Sequence, residues 1–448
     1  MKISIISAII FTTLIVHIPW DAYGLDGTTA YTGEDCFECH DEMVEDHAVS
    51  VHSDILCLEC HTQALEEDHE ALDFDPVNCV QCHAPHTEKN LHDAHTRVTC
   101  KACHVQGGIP TIDPESKNII FSGGFRPGME MLLHQAINAS SEEQCGECHF
   151  QGNAVGASTM VLPAKSILCM PCHVATISVE DKTSLVSLFI FIIGVLGLVS
   201  VWFSGSIAKR EPVIFVKNKT GARFKSSALF GGGIFHLLNE IFVEAILLKR
   251  LFQQSKARWI IHSLIFFPFV FRFAFSLVSL FFSTIFPDSF VTIALLDKNH
   301  VFRALFFDVT GLMILAGCTT AMINTGRNQG ETIDSLPKPG RGMTAMIGLI
   351  VLVGFILEGM RIAMTGWPNG SQAAFAGYGI SLLCKDMMGL NDIYGYVWYA
   401  HAILTAVFIA LIPFTRMRHI ITAPIVLVIN SVSRNRISEK DRTGKREI

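Results

Sequence analysis

Between Cys36 and His173 the chain repeats one five-residue pattern six times: Cys, two other residues, Cys, His. The repeats are Cys36, Cys39 and His40; Cys57, Cys60 and His61; Cys79, Cys82 and His83; Cys100, Cys103 and His104; Cys145, Cys148 and His149; and Cys169, Cys172 and His173. Two thiols at this spacing can each form a thioether to one vinyl group of a single haem. The adjoining His then lies under the ring and bonds the iron. Disulfides, zinc and iron–sulfur clusters also use paired cysteines, but none of them requires a His after every second Cys. The pattern therefore leads us to expect six covalent c-type haems.

A low-spin c haem needs a second axial ligand. Seven further histidines lie in the same stretch: His47, His52, His69, His86, His92, His95 and His134. Six irons and seven candidates match ligation by two histidines, which holds potentials low compared with Met/His. Haems so closely spaced would pass electrons along the domain like a wire.

The elements that must position this chemistry divide by charge. Residues 25–183 carry 26 acidic and 7 basic side chains, whereas residues 184–448 carry 14 acidic and 26 basic. The first part reads as an acidic exported domain that either steers a basic partner or simply stays soluble. Residues 1–24, with Lys2, an apolar run and then Ala22 and Gly24, read as a secretory signal or an uncleaved anchor. Little strand is expected in residues 25–183. Five apolar stretches of spanning length follow, at about 185–203, 260–286, 302–323, 343–364 and 394–413. The connection 205–258 has ten Lys/Arg and the tail beyond residue 415 has eight; the loops 287–301 and 366–393 have one each. Basic loops stay in the cytoplasm. That places the cysteine-rich domain outside and the basic tail, 431–448, inside a bacterial or archaeal cytoplasmic membrane. The expected fold is mainly α: a haem-packed outer domain, 25–183, and a five-helix bundle, 184–430.

A histidine inside a membrane is a functional candidate. His262 opens the second stretch and His419 follows the fifth, so both lie near the cytoplasmic face and can share one b-type haem. His401 lies eighteen residues before His419, which on a helix is about 27 Å. It is expected near the outer face, where His300 is the available partner for a second haem b. Arg272 occupies the level on the second stretch where another His would stand. Arg groups near haem pair with propionates. Glu358 and Arg361 form an i,i+3 pair in the fourth stretch and Asp308 lies in the third; carboxylates there either serve proton exchange with a quinone or neutralise the arginines.

Residues 184–430 resemble the haem b membrane subunit of respiratory nitrate reductase and its relatives in heterodisulfide reductase and dissimilatory sulfite-reduction complexes. The resemblance is carried by Arg258-Trp259-Ile260-Ile261-His262, by Asp308-Val309-Thr310-Gly311, by Gly354 to Arg361, and by His401 with His419. It implies two stacked haems b between the second and last stretches, with His262, His401 and His419 at ligand positions, and quinol chemistry. The chain departs from that pattern at Arg272, where the fourth ligand is expected. Residues 34–176 are similar to multihaem c proteins with paired repeats. The fusion resembles cytochrome b/c quinol oxidoreductases of anaerobic respiration.

The expected function is electron transfer between menaquinone or another quinone of the membrane pool and an extracytoplasmic cytochrome or terminal reductase. It would run through one or two haems b and six haems c. The alternative is a conduit and anchor for a cytoplasmic iron–sulfur subunit, with 205–258 as the docking surface and no quinone site of its own. A terminal reductase would need one haem without a second ligand, and seven spare histidines speak against it. Lipid is an expected partner; nucleic acid is not.

Overall fold

The computed structural model describes residues 40, 45, 47–48, 50, 52–61, 79, 95–106, 108–125, 132–136, 145–179, 181–208, 241–286, 289–327 and 341–426. Residues 1–24, expected to be a signal or an anchor, the tail 431–448, and Cys36, Cys39, Cys82, His83, His69, His86 and His92 lie outside the described residues. Of Cys103 and His134 only the backbone is described. The chain divides into two compact units: residues 1–77 with Leu132–Ala136, and residues 78–131 with 137–448.

The fold is mainly helical, with five helices long and apolar enough to cross a membrane. They are span one (Lys182–Ala208), span two (Lys256–Ile285), span three (Val301–Arg327, preceded by a short helix Phe290–Leu296), span four (Arg341–Met364) and span five (Leu390–Leu411). Spans one, three and four contain the apolar stretch expected there, and the stretches expected for spans two and five run one and two residues past the helix ends. Neighbouring spans pack in the order one, five, four, three, two.

Span two buries what a soluble helix exposes. On span two the buried positions are Ser263, Pro268, Arg272, Ser276, Ser279 and Ser283, a stripe at helical spacing. Phe271, Phe273, Leu277, Val278 and Phe281 of the same helix are exposed. Water offers no reason for this inversion. Lipid does, because it solvates phenylalanine and leaves small and polar residues to mediate helix contact. Ser255 caps the helix, its Oγ accepting from the Arg258 N–H at 3.4 Å.

Close approaches are made by glycine. A Cβ at Gly194 of span one would lie 2.7 Å from the Phe414 ring, and nearby Ser187 Oγ donates to the Ala406 carbonyl at 2.7 Å. Gly359 of span four admits a short helix, Phe375–Leu383, at Gly377 and Ile380. The largest apolar cluster joins Ile314 and Cys318 of span three to Ile347, Val351 and Phe355 of span four.

Where little strand was expected, the chain forms an antiparallel hairpin, Gly108–Ile112 with Ile119–Phe125. Its β-branched residues (Thr111 and Ile112 opposite Ile120 and Ile119) fit paired strands. The intervening turn is organised by Asp113, whose carboxylate accepts from the Ser116 N–H at 2.7 Å and from the Ser116 hydroxyl. These bonds hold the Asp113 carboxyl below its ordinary pKa.

Candidate functional site

In the described repeats the Cys-x-x-Cys-His pattern forms a single helical turn. Cys57–Cys60 and Cys100–His104 are helical. The His61, His149 and His173 amides each donate to the carbonyl of the first cysteine of their own motif at 2.9 Å. Positions i, i+3 and i+4 of a helix share one face, so this turn presents both sulfurs and the imidazole to the same side. Among the described residues no cysteine is in a disulfide. No three His, Cys, Asp or Glu side chains converge as a metal cluster there. A haem between two histidines needs no such cluster, since the porphyrin supplies the other four nitrogens. Motifs three and four lie close together: burial first, and then the neighbouring Cys79, push the Cys100 thiol up.

Three pairs of histidine rings face each other at nearly one separation. His95 and His149 have ring centres 6.2 Å apart, His262 and His419 6.3 Å, and His173 and His401 6.0 Å. Two metal–nitrogen bonds of about 2 Å each, plus the distance from each nitrogen to its ring centre, give a separation of about 6 Å across a metal. Rings in hydrogen-bond contact would instead have to bring nitrogens within about 3 Å of each other.

Local bonds prepare two of these rings to act as ligands. His149 Nδ1 contacts the Ser158 carbonyl at 2.6 Å and His419 Nδ1 contacts the Arg416 carbonyl at 2.9 Å. A carbonyl only accepts, so Nδ1 carries the proton and the Nε2 lone pair is left for a metal. In His262 and His401 a buried Nδ1 has no hydrogen-bond partner. Leaving such an atom unsatisfied costs about 1–3 kcal/mol, and a bound group would change that balance. The residues therefore fit haem held between histidine pairs.

His262 meets His419 as the spacing predicted. His401 stands differently from expectation. It lies eleven residues into span five, about 16 Å along the helix, and the ring that faces it belongs to His173. His300 is an exposed residue just before span three, its amide bonded to the Asp297 carbonyl. Of the other expected second ligands, His47 and His52 are half-buried.

The segment carrying the last motif is seated against the spans. Ser276 Oγ donates to the His173 carbonyl at 2.7 Å, and Phe307 of span three stacks on the His173 ring at 6.3 Å. Thr159 donates its amide to the Asn391 carbonyl at 3.3 Å. A Cβ at Gly156, where φ is +69°, would run into the Met364 carbonyl. Met170, Val174 and Ala175 are buried. Burial pushes the Cys172 thiol up to about 11, although the neighbouring Arg272 acts the other way.

Arg272 is buried, with Nε donating to Thr310 Oγ1 at 2.7 Å and Nη2 donating to the Phe307 carbonyl. Among the described residues no carboxylate reaches it at ion-pair distance. Glu358 lies 3.9 Å from Arg361, which also donates to Asn299 Oδ1 at 2.9 Å. Asp308 is fully buried beside Glu358; its Oδ2 accepts from the Ala376 N–H at 2.6 Å and its Oδ1 has no partner. The Ala376 bond and this carboxyl pairing were not legible beforehand, because the short helix Phe375–Leu383 was not foreseen.

The fold and its spans define a helical membrane protein. No protein-family model, curated protein or solved structure matches the chain.

Proposed function

We propose that the protein transfers electrons between the quinone pool and an acceptor outside the cytoplasmic membrane. It would hold six covalent haems c in the residues before span one and haem b between spans two and five. The observation that carries this reading is the recurrence of facing histidine rings at 6.0–6.3 Å, two of them involving the His of a Cys-x-x-Cys-His motif. Bound haem supplies reversible one-electron transfer at iron.

The chain's own residues would bind and tune these groups. Each motif turn presents two sulfurs and one imidazole to a haem. His95 and His149 would together hold one c haem, and His262 and His419 would hold the haem b. The Ser158 and Arg416 carbonyls fix the tautomers of His149 and His419. The buried Asp308 carboxyl of span three and the half-buried Glu358 carboxyl of span four would be the groups that accept protons as quinol is oxidised. The basic connection 205–258 and the basic tail face the cytoplasm. Likeness to the nitrate reductase and heterodisulfide reductase membrane subunits, fused to a multihaem cytochrome c, accords with this arrangement.

The test is full-length protein made in a host competent for c-haem maturation and purified in detergent. Covalent haem staining and pyridine haemochrome spectra are expected to give six haems c together with haem b, and a reduced quinone analogue is expected to reduce them. A mature chain with the mass of bare polypeptide refutes the reading. Haem-loaded protein that quinol cannot reduce, and that copurifies with a cytoplasmic iron–sulfur subunit, replaces it with the conduit role.

A further inference from the structure

Resting on the haem-bearing reading above, we infer that His401 is the second axial ligand of the covalent haem at Cys169 and Cys172, and that this c haem occupies the upper position of the bundle in place of a second haem b. The chain would then hold six haems c and one haem b, the b haem being that of His262 and His419.

Four observations converge on this assignment. The first is the ring pair itself: His173 and His401 have centres 6.0 Å apart and planes 66° apart, a separation shared with the His95–His149 and His262–His419 pairs. The second is anchorage. His173 is the third member of its motif turn, its amide bonded to the Cys169 carbonyl at 2.9 Å. The same residue's carbonyl is gripped by Ser276, which is fully buried on span two. The motif is thus part of the bundle wall at the level of His401. The third is His401 itself, which has one buried ring nitrogen, Nδ1, without a hydrogen-bond partner, whose ring also meets the Ile350 backbone, as a ligand histidine's second nitrogen commonly meets a carbonyl, and which passes within ordinary contact of the Gly354 position on span four.

The fourth is Arg272. A b haem at this level would need a histidine from span two, and that level carries a guanidinium next to Cys172. This buried guanidinium bonds a hydroxyl and a carbonyl and stands over the Phe307 ring at 5.0 Å, while among the described residues Glu358 and Asp308 act on it only from beyond ion-pair distance; the carboxylates of a haem attached at Cys172 would supply a direct pair. The arginine is therefore not a lost ligand. It is the positioning residue for a haem whose two thioethers and His173 ligand come from the segment before span one and whose other ligand, His401, comes from span five. Nothing is transferred in forming this site beyond thioether formation, in which each thiol S–H adds across a haem vinyl group.

The test compares full-length wild type with His401→Met and His401→Ala, all matured with haem. Wild type is expected to give a c:b haem ratio of six to one; a ratio of six to two overturns the assignment. In His401→Met both haem counts are expected to stay unchanged while the potential of one c haem rises, because Met replaces His at the iron. His401→Ala is expected to convert one c haem to a high-spin form by electron paramagnetic resonance, and added imidazole to reverse it. Loss of b haem in either variant, or unaltered c haems in His401→Met, also overturns it. Wild type without covalent haem would instead sink the proposed function itself, so the two failures are distinguishable.

Discussion

Replacing Gly156 by Ala tests whether the outer segment is held against the spans by close backbone contact. Gly156 and Gly152 both have positive φ, +69° and +82°. Only the first meets anything: a Cβ there collides with the Met364 carbonyl and comes within 3.1 Å of Thr365 Cα, whereas a Cβ at Gly152 finds nothing within 4 Å. Left-handed backbone costs a non-glycine residue about 1–2 kcal/mol. Forcing a methyl into packed backbone adds about 1–3 kcal/mol. Gly152→Ala should therefore cost about 1.5 kcal/mol and Gly156→Ala about 3.5 kcal/mol. At 1.4 kcal/mol per factor of ten, these are about tenfold and about three-hundredfold in the local opening equilibrium. Hydrogen exchange reads the difference at one amide, Thr159, whose N–H bonds to Asn391 of span five. Exchange there should accelerate far more in Gly156→Ala than in Gly152→Ala. The Ala157 amide, bonded within the loop to Asn153 Oδ1 at 2.9 Å, should respond to both. Equal effects at Thr159 would mean that the contact with Met364 does not hold the segment, and the seating of His173 would then need another cause.

Further outcomes follow from the same geometry. His262→Ala or His419→Ala should each abolish the b-haem band of the pyridine haemochrome spectrum and leave covalent haem staining intact. Arg97→Ala breaks a two-bond ion pair to Asp297 (3.0 and 3.2 Å) and a bond to the Asn369 carbonyl; with side chains 23% and 14% exposed, the loss should be about 1–2 kcal/mol, measurable by thermal unfolding in detergent. Ser276→Ala should cost about 1 kcal/mol by removing a buried donor from the His173 carbonyl. For Asp113 the folded pKa lies below the ordinary Asp value of about 3.9. Its turn is therefore stabilised above that pH and loosens only as pH falls through the lower folded value. Exchange at the Ser116 amide should show this dependence, and Asp113→Asn should abolish it.

What the sequence made legible was periodic or local. Five apolar runs needed only composition, and the meeting of His262 with His419 needed only helical rise and alternating direction. The motif turns are local too, since an i+4 to i bond joins the first and last members of the second, fifth and sixth. The seating of the last motif is not local: it depends on which segment packs against which helix. It still left a trace in the charges. The outer domain carries 26 acidic residues, yet none lies between Glu147 and Glu180, and Lys165 is the only charged side chain there. Burying charge is costly, so a thirty-two-residue gap in an otherwise acidic domain marks a surface that is covered rather than solvated. With that gap in view, Arg272 also reads differently. An arginine at the level of a missing histidine is a defect if the bundle must hold two haems b. It is a counter-charge if the neighbouring acid-free segment carries its own haem into that place. The arginine in place of the expected histidine and the acid-free segment 148–179 would then have a common physical explanation.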